Sequence, residues 1–152
     1  MTQDNFTSTF TVSQTPEHVF AAINNVRGWW SQGLKGHSDR VGESFDYKHK
    51  AIHLSTQKVT ELTPNKRVVW HVTSANLSFV EDKAEWVGTD IFFDVEPAGG
   101  KTKVTMTHKG LTPKFECFEA CSGGWEYYFG DSLRKLIETG TGEPDPAEFA
   151  AL

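Results

Sequence analysis

Residues 116–140, ECFEACSGGWEYYFGDSLRKLIETG, decide the fold because they read as one long amphipathic helix. Apolar side chains recur at helical spacing along one face. Gly140 follows the last periodic residue, and Pro144 and Pro146 lie just beyond it, which is a typical helix end. At about 1.5 Å per residue the helix would be roughly 35 Å long, enough to cross a whole sheet. The apolar face contains Phe118, Cys121, Trp125, Tyr128, Phe129, Leu133, Leu136 and Ile137.

Almost everything before this helix reads as short strands with a side-chain period of two, bounded by turn residues such as Gly99 and Gly100. Thr15 and Pro16 instead open a short helix, as an N-cap and a first helical residue. The predicted order is β-α-α-β-β-β-β-β-α. Strands are predicted at 5–12, 43–49, 54–62, 67–74, 89–96 and 103–109, a helix at 16–24, a second short helix or a turn at 25–30, and a loop at 31–42.

This order predicts an α+β fold in which the long helix covers the apolar face of a curved antiparallel sheet. A lone helix cannot fill a strongly curved face completely, so we expect a cavity between them. Gly123, Gly124 and Gly130 lie inside the helix, where each costs about 1 kcal/mol relative to Ala. Close backbone packing, a bend or room for a ligand would each explain them, and close packing is the interpretation we favour.

The length and net charge of the chain restrict which classes of protein and which partners are expected. The 152 residues fit one domain, 1–152, with a core at about 5–144 and a loose tail at 145–152. A net charge of −5 and the absence of a Lys- and Arg-rich cluster disfavour nucleic acid as a partner. No stretch is long and apolar enough to span a bilayer, and residues 1–6 do not resemble a secretory signal. We therefore expect a cytoplasmic protein.

The sequence predicts no catalytic residue, metal or cofactor. Cys117 and Cys121 lie one helical turn apart and read as reduced, buried thiols. The spacing of His49 and His53 suits a metal only on a helix, whereas their flanks read as a strand and a turn. Neither a glycine-rich phosphate loop nor a nucleophile elbow is present.

Seven local patterns occur in order: Thr15–Phe20, Trp29-Trp30, Val59–Val68, Thr89–Gly110, Gly124–Tyr128, Ser132-Leu133 and Glu138–Pro144. Together they resemble the START-like or SRPBCC superfamily, and more narrowly its branch named for activators of the 90-kDa heat-shock-protein ATPase. The resemblance spans roughly residues 5–144. It implies a helix-grip fold with an apolar tunnel that in many relatives holds lipids, polyketides or other hydrophobic molecules. It does not imply a shared reaction, because members include carriers, cyclases, regulators and chaperone stimulators.

Strand alternation and the helix face together predict which side chains line this tunnel. The parity of the strand at 67–74 is ambiguous, because both of its faces contain apolar residues, and we place Trp70 inward. The predicted ligand-binding residues are Trp30, Phe45, Tyr47, His49, Trp70, Ile91, Phe93, Met106, His108, Phe118, Cys121, Trp125 and Tyr128.

His108 is the most specific of these candidates. On an inward face its imidazole could orient a carbonyl or act as a general base. The competing interpretation is a structural histidine bonded to backbone or water.

We expect a carrier or binding protein for a hydrophobic or aromatic small molecule, existing as a monomer or weak dimer. One alternative is a cyclase- or hydrolase-like enzyme using His108 or Tyr47. Another is a stress-response module that stimulates a chaperone ATPase or binds another protein, with the acidic residues 81–85 as its contact surface.

Overall fold

The protein is described by a computed structural model covering residues 5–151, with no side-chain description for Ala151. Residues 1–4, on which the expectation of no secretory signal partly rests, and Leu152 of the predicted tail lie outside the described residues.

The strands of residues 5–151 form one antiparallel sheet in the order β1-β7-β6-β5-β4-β3-β2. Most neighbouring strands are joined by short turns. The first strand, β1, lies at one edge of the sheet and pairs with the last strand, β7, with Phe6 opposite His108 and Val12 opposite Thr102. The strands are β1 Phe6–Val12, β2 Lys35–Gly36, β3 Ser44–His49, β4 His53–Thr63, β5 Arg67–Leu77, β6 Asp90–Ala98 and β7 Lys101–Lys109.

The helical elements fall between β1 and β2 and after β7. Helix α1, Pro16–Asn24, begins after Thr15, whose hydroxyl accepts the His18 N–H as an N-cap. A 3₁₀ turn at Val26–Gly28 follows it. After β7 come α2 Phe118–Trp125, a π-helical segment Glu126–Leu133, α3 Arg134–Thr139 and a short α4 Glu148–Ala151. We call residues 118–139 the long helix. No helix within residues 5–151 is long and apolar enough to cross a membrane.

The predicted α+β helix-grip architecture is confirmed, with one extra strand. Strand β2 lies in the segment predicted as a loop, and it extends the sheet by pairing Lys35 with Asp46 and Gly36 with Phe45. Two residues are too few to show a period, so no alternation could reveal β2. The long helix begins two residues after the predicted Glu116 and ends at Gly140, whose left-handed backbone caps it.

The C-terminal half of the long helix is packed tightly against the sheet. Phe129, Leu133 and Ile137 are almost completely buried. The ring of Phe129 lies 4.8 Å from Phe10 and 6.2 Å from Phe93 between centroids. This end of the sheet therefore has a solid core.

Close backbone packing, the explanation we favoured for the three glycines inside the long helix, does not agree with the structure. A Cβ at Gly123 would meet nothing within 4 Å, and one at Gly124 would reach only Tyr128, at 3.9 Å. At Gly130 the nearest atom is 3.9 Å away, on Glu126 of the same helix. Close backbone packing is therefore wrong for all three. Open space lies beside Gly124, and the π-helical segment follows directly after Trp125.

The segment after the long helix is held in place, unlike the predicted loose tail. The Asp145 side chain is almost completely buried, and its backbone N–H donates to the Trp30 carbonyl at 2.9 Å. The Asp145 carbonyl accepts from the Gln32 N–H at 3.0 Å. Farther on, the Phe149 carbonyl accepts the Lys50 N–H at 2.8 Å, so α4 packs against β3.

Ser132 links the long helix to this segment, and its loss should destabilise the fold. Its buried hydroxyl donates to the Trp29 carbonyl at 2.7 Å and accepts the Glu143 N–H at 2.8 Å. Ser132→Ala leaves both backbone groups unpaired, so we expect the free energy of unfolding to fall by about 1–3 kcal/mol. Urea denaturation followed by circular dichroism measures this.

Ser122→Ala on the same helix is the control, because that hydroxyl bonds only the Glu119 carbonyl of its own helix. It should change stability by less than about 0.5 kcal/mol. Equal losses in the two variants would show that Ser132 does not connect these segments.

Candidate functional site

A cavity of about 420 Å³ lies between the sheet and the first turns of the long helix. Its other walls are the turn between β3 and β4 and the connection between β5 and β6. Ile52 and Phe79, from these two segments, belong to the lining and are 44% and 43% exposed. Large apolar side chains that are both lining and exposed mark the mouth of the cavity.

The cavity occurs where the long helix carries small side chains. Ala120, Cys121 and Gly124 face it, whereas Phe129 and Leu133 fill the corresponding space farther along the helix. The change from small to large side chains explains why one end of the sheet encloses a space and the other does not.

Three tryptophans form the rigid part of the wall. Trp30 stacks on Tyr47 at 4.2 Å between centroids and lies 4.9 Å from Trp125. Trp125 in turn stacks on Trp86 at 5.9 Å. All three indoles are buried by 97% or more, so their faces are held in position by packing.

Trp86 reaches the site because the connection between β5 and β6 is tied to the start of the long helix. The Glu85 carboxylate accepts the backbone N–H groups of Glu116, at 2.7 Å, and Cys117, at 3.2 Å. The Glu116 carboxylate accepts those of Glu81 and Asp82 in return. These reciprocal bonds satisfy backbone donors on both segments, including that of the N-cap residue Cys117, and fix the connection beside the cavity.

A buried carboxylate organises the polar side of the cavity. Asp145 Oδ2 accepts the Tyr47 hydroxyl at 2.7 Å and His49 Nδ1 at 2.8 Å. Oδ1 accepts the Tyr128 hydroxyl, also at 2.7 Å. Three donors on one carboxylate offset the cost of burying it and hold β3, the long helix and residue 145 together.

Tyr47 and Tyr128 remain protonated in this arrangement. Burial raises the pKa of both phenols, and the Asp145 charge raises both further. Their hydroxyls therefore act as hydrogen-bond donors to Asp145 rather than as bases.

His108, the most specific candidate from the sequence, lies behind the cavity wall. Its ring is completely buried, and its Nδ1 accepts the indole N–H of Trp125 at 3.0 Å. Nε2 must then carry the hydrogen and donate it to Thr89 Oγ1 at 2.8 Å, while that hydroxyl donates to the Trp86 carbonyl. With both nitrogens occupied, the ring fixes two tryptophans of the wall.

Among residues 5–151, the structure brings six of the predicted site residues to the cavity and leaves seven elsewhere. Trp30, Tyr47, His49, Cys121, Trp125 and Tyr128 line it. Phe45, Trp70, Ile91, Phe93 and Met106 are buried in the core and His108 lies behind Trp125, while Phe118 is partly buried against the core.

The site, meaning the cavity lining together with Asp145, also includes residues that sequence reasoning did not nominate. Phe79 and Trp86 lie in the connection between β5 and β6, where no period indicates a face. Asp145 was assigned to the tail, although Pro144 and Pro146 on either side restrict its backbone and could have marked it as fixed. The remaining additions are Ile52, His53, Ala120 and Gly124.

No cluster of three potential metal ligands exists within the described part of the chain.

The buried His108 and the half-buried His53 should make stability depend on pH. Burial lowers the pKa of both His53 and His108 to about 3, from 6.5. Between these values the unfolded chain binds more protons than the folded one, so the free energy of unfolding falls as pH falls from about 6.5 towards 3. The slope is at most about 1.4 kcal/mol per pH unit for each histidine.

We expect His53→Gln to lower that slope by about 1.4 kcal/mol per pH unit between roughly pH 6 and pH 5. The reason is that the unfolded variant binds about one proton fewer than the unfolded wild-type chain. Urea denaturation at a series of pH values measures it. A slope identical to that of the wild-type protein would contradict the neutral state of His53 in the folded protein.

Comparison with known proteins agrees with this architecture. A family model described as Activator of Hsp90 ATPase homolog 1-like protein matches residues 13–138. No curated protein matches the chain in sequence.

Solved structures with the same fold include the Aha1 dimer from Colwellia psychrerythraea, determined in solution. It is 26% identical with a TM-score of 0.74, and the match covers 91% of this chain and 98% of that one. DynU16, described as a putative protein in the dynemicin biosynthetic locus, is 17% identical with a TM-score of 0.66, over 93% of this chain and 49% of that one.

CalU16 from Micromonospora echinospora is 12% identical with a TM-score of 0.60, over 90% of this chain and 86% of that one. At these identities DynU16 and CalU16 show a shared fold alone. The family model, in contrast, matches most of the chain. The chain therefore belongs to the family of activator of Hsp90 ATPase homolog 1-like proteins, within the START-like SRPBCC superfamily.

Proposed function

We propose that this protein binds a compact aromatic or otherwise hydrophobic small molecule in the cavity beside Gly124. The observation that carries the proposal is the cavity of about 420 Å³ with a tryptophan wall and a mouth between Ile52 and Phe79. Ligand sites typically measure about 300–1,000 Å³ and are mainly apolar with a few fixed polar groups. A space near the lower end of that range favours a ligand of few rings.

The rigidity of the wall supports binding of flat molecules. Trp30, Trp86 and Trp125 are fixed by ring contacts with one another and by the His108 and Thr89 hydrogen bonds, so little side-chain ordering remains to oppose binding. Indole faces favour offset-stacked or edge-on contacts with another aromatic ring.

This function is favoured over the alternatives named from the sequence. An enzyme using His108 would have to break the bonds of both ring nitrogens, and Tyr47 has a raised pKa. Of the acidic residues 81–85, Glu85 is engaged with the backbone N–H groups of Glu116 and Cys117, just before the long helix. Stimulation of a chaperone ATPase, self-association like that of the Colwellia dimer and a cytoplasmic location stay predictions.

Filling the space beside Gly124 should block binding. In Gly124→Leu the new side chain projects into the cavity, so we expect the affinity for methoxynaphthalene to fall at least about tenfold. The quenching of tryptophan fluorescence during titration measures this, since three of the five tryptophans line the cavity.

Gly123→Leu is the matched control, because Gly123 is exposed and a Cβ there meets no atom within 4 Å. Both changes replace a helical glycine and should stabilise the helix by about 0.5–1 kcal/mol, which separates loss of binding from loss of folding. Equal affinities in the two variants would refute the proposed location of the ligand.

A further inference from the structure

The hydrogen atoms around Asp145 are all directed away from a ligand. Asp145 is not part of the cavity lining, whereas Tyr47, His49 and Tyr128 are. Each of these three side chains donates a hydrogen to the Asp145 carboxylate, at 2.7–2.8 Å. A phenol has one hydrogen to donate, so both hydroxyls have used theirs.

What these side chains can still offer is lone pairs. The contact between the Tyr47 and Tyr128 oxygens, at 3.1 Å, is longer than either bond to Asp145, so the hydroxyl hydrogens are assigned to the carboxylate. The same reasoning places a hydrogen on His49 Nδ1, and when the imidazole carries only that hydrogen, a lone pair lies on Nε2. Nε2 makes no hydrogen bond to any described residue.

His53 differs in that no carboxylate orients its ring. Its Nε2 is bonded to Ser55 Oγ at 3.1 Å, its low pKa keeps the ring neutral, and its Nδ1 makes no hydrogen bond to any described residue. The Trp125 N–H is donated to His108. The buried Trp86 N–H has no hydrogen-bond partner among the described residues, but it is a donor and cannot take the role of an acceptor. His49 Nε2 is thus an acceptor on the polar side of the cavity that Asp145 orients and that makes no hydrogen bond to a described residue.

We propose that the cavity selects aromatic ligands that carry a hydroxyl group, and that His49 Nε2, oriented by Asp145, accepts the hydrogen of that phenol. This specificity rests on the proposed function and adds the chemical class of the ligand to it. A phenolic O–H is a good donor, and its ring suits the indole faces of Trp30 and Trp86. The buried carboxylate holds the imidazole in one tautomer and makes Nε2 a better acceptor. A ligand with an acceptor in the same place would leave two lone pairs facing each other.

The test compares naphthol with methoxynaphthalene substituted at the same ring position, both titrated by tryptophan fluorescence. The two have the same ring system, but only naphthol can donate a hydrogen. We expect wild-type protein to bind naphthol about tenfold more tightly. His49→Phe should remove this preference by weakening naphthol binding alone.

His49→Gln provides a conservative comparison, because its amide can donate to Asp145 while its carbonyl oxygen accepts from the ligand. It should retain part of the naphthol preference, and circular dichroism of both variants checks their folding. A preference that persists in folded His49→Phe would overturn the assignment of His49.

The outcomes separate the two proposals. Equal wild-type affinities for naphthol and methoxynaphthalene would overturn the selection of hydroxyl-bearing ligands while leaving the proposed function intact. Binding of neither compound would overturn both proposals. If the His49 variants do not fold, the wild-type comparison still decides, because it needs no substitution.

Discussion

A single helix has to cover the concave face of a seven-stranded sheet, and the rest of the structure depends on how it does so. Large side chains such as Phe129 and Leu133 seal one end of the sheet. At the other end the helix presents Ala120, Cys121 and Gly124, which are too small to reach the strands. Burial of apolar surface drives the covering, and the shortage of side-chain volume at this end leaves the cavity.

The segment after the helix completes the site rather than trailing away from it. A buried carboxylate is costly unless it is fully hydrogen-bonded, and Asp145 is bonded by Tyr47, His49 and Tyr128. These partners come from β3 and the long helix, so the requirement to satisfy one charge fixes three parts of the chain together. The same bonds set which polar atoms the cavity can present to a ligand.

Periodicity in the sequence was enough for the architecture. The helical spacing of the apolar residues in 116–140 and the alternation in the strands predicted the sheet and its covering helix, and the family model supports the same assignment. Alternation also reveals which face of a strand points inward, but not how deep a residue lies. Phe93 and Met106 point inward as predicted, yet they are in the packed core and not in the cavity lining.

The polar side of the cavity, around Asp145, could not be predicted from sequence periodicity. Asp145 bonds Tyr47 and His49 across 98 and 96 residues of sequence, and no period in a proline-flanked segment indicates such a contact. Trp86 lies in an irregular connection that is positioned by the backbone bonds of Glu85 and Glu116. Gly124 stands out in the sequence as a glycine inside a helix, but its open surroundings depend on the lengths of side chains from other elements.

The most direct measurement of the central claim is a crystal structure of the protein soaked with para-iodophenol, because the anomalous signal of iodine locates the ligand without any assumption about the site. The account predicts an iodine peak in the space beside Gly124, among Trp30, Trp86 and Trp125, with the ligand hydroxyl within hydrogen-bonding distance of His49 Nε2. An iodine peak only on the outer surface, or a space beside Gly124 filled by the protein's own side chains, would contradict it.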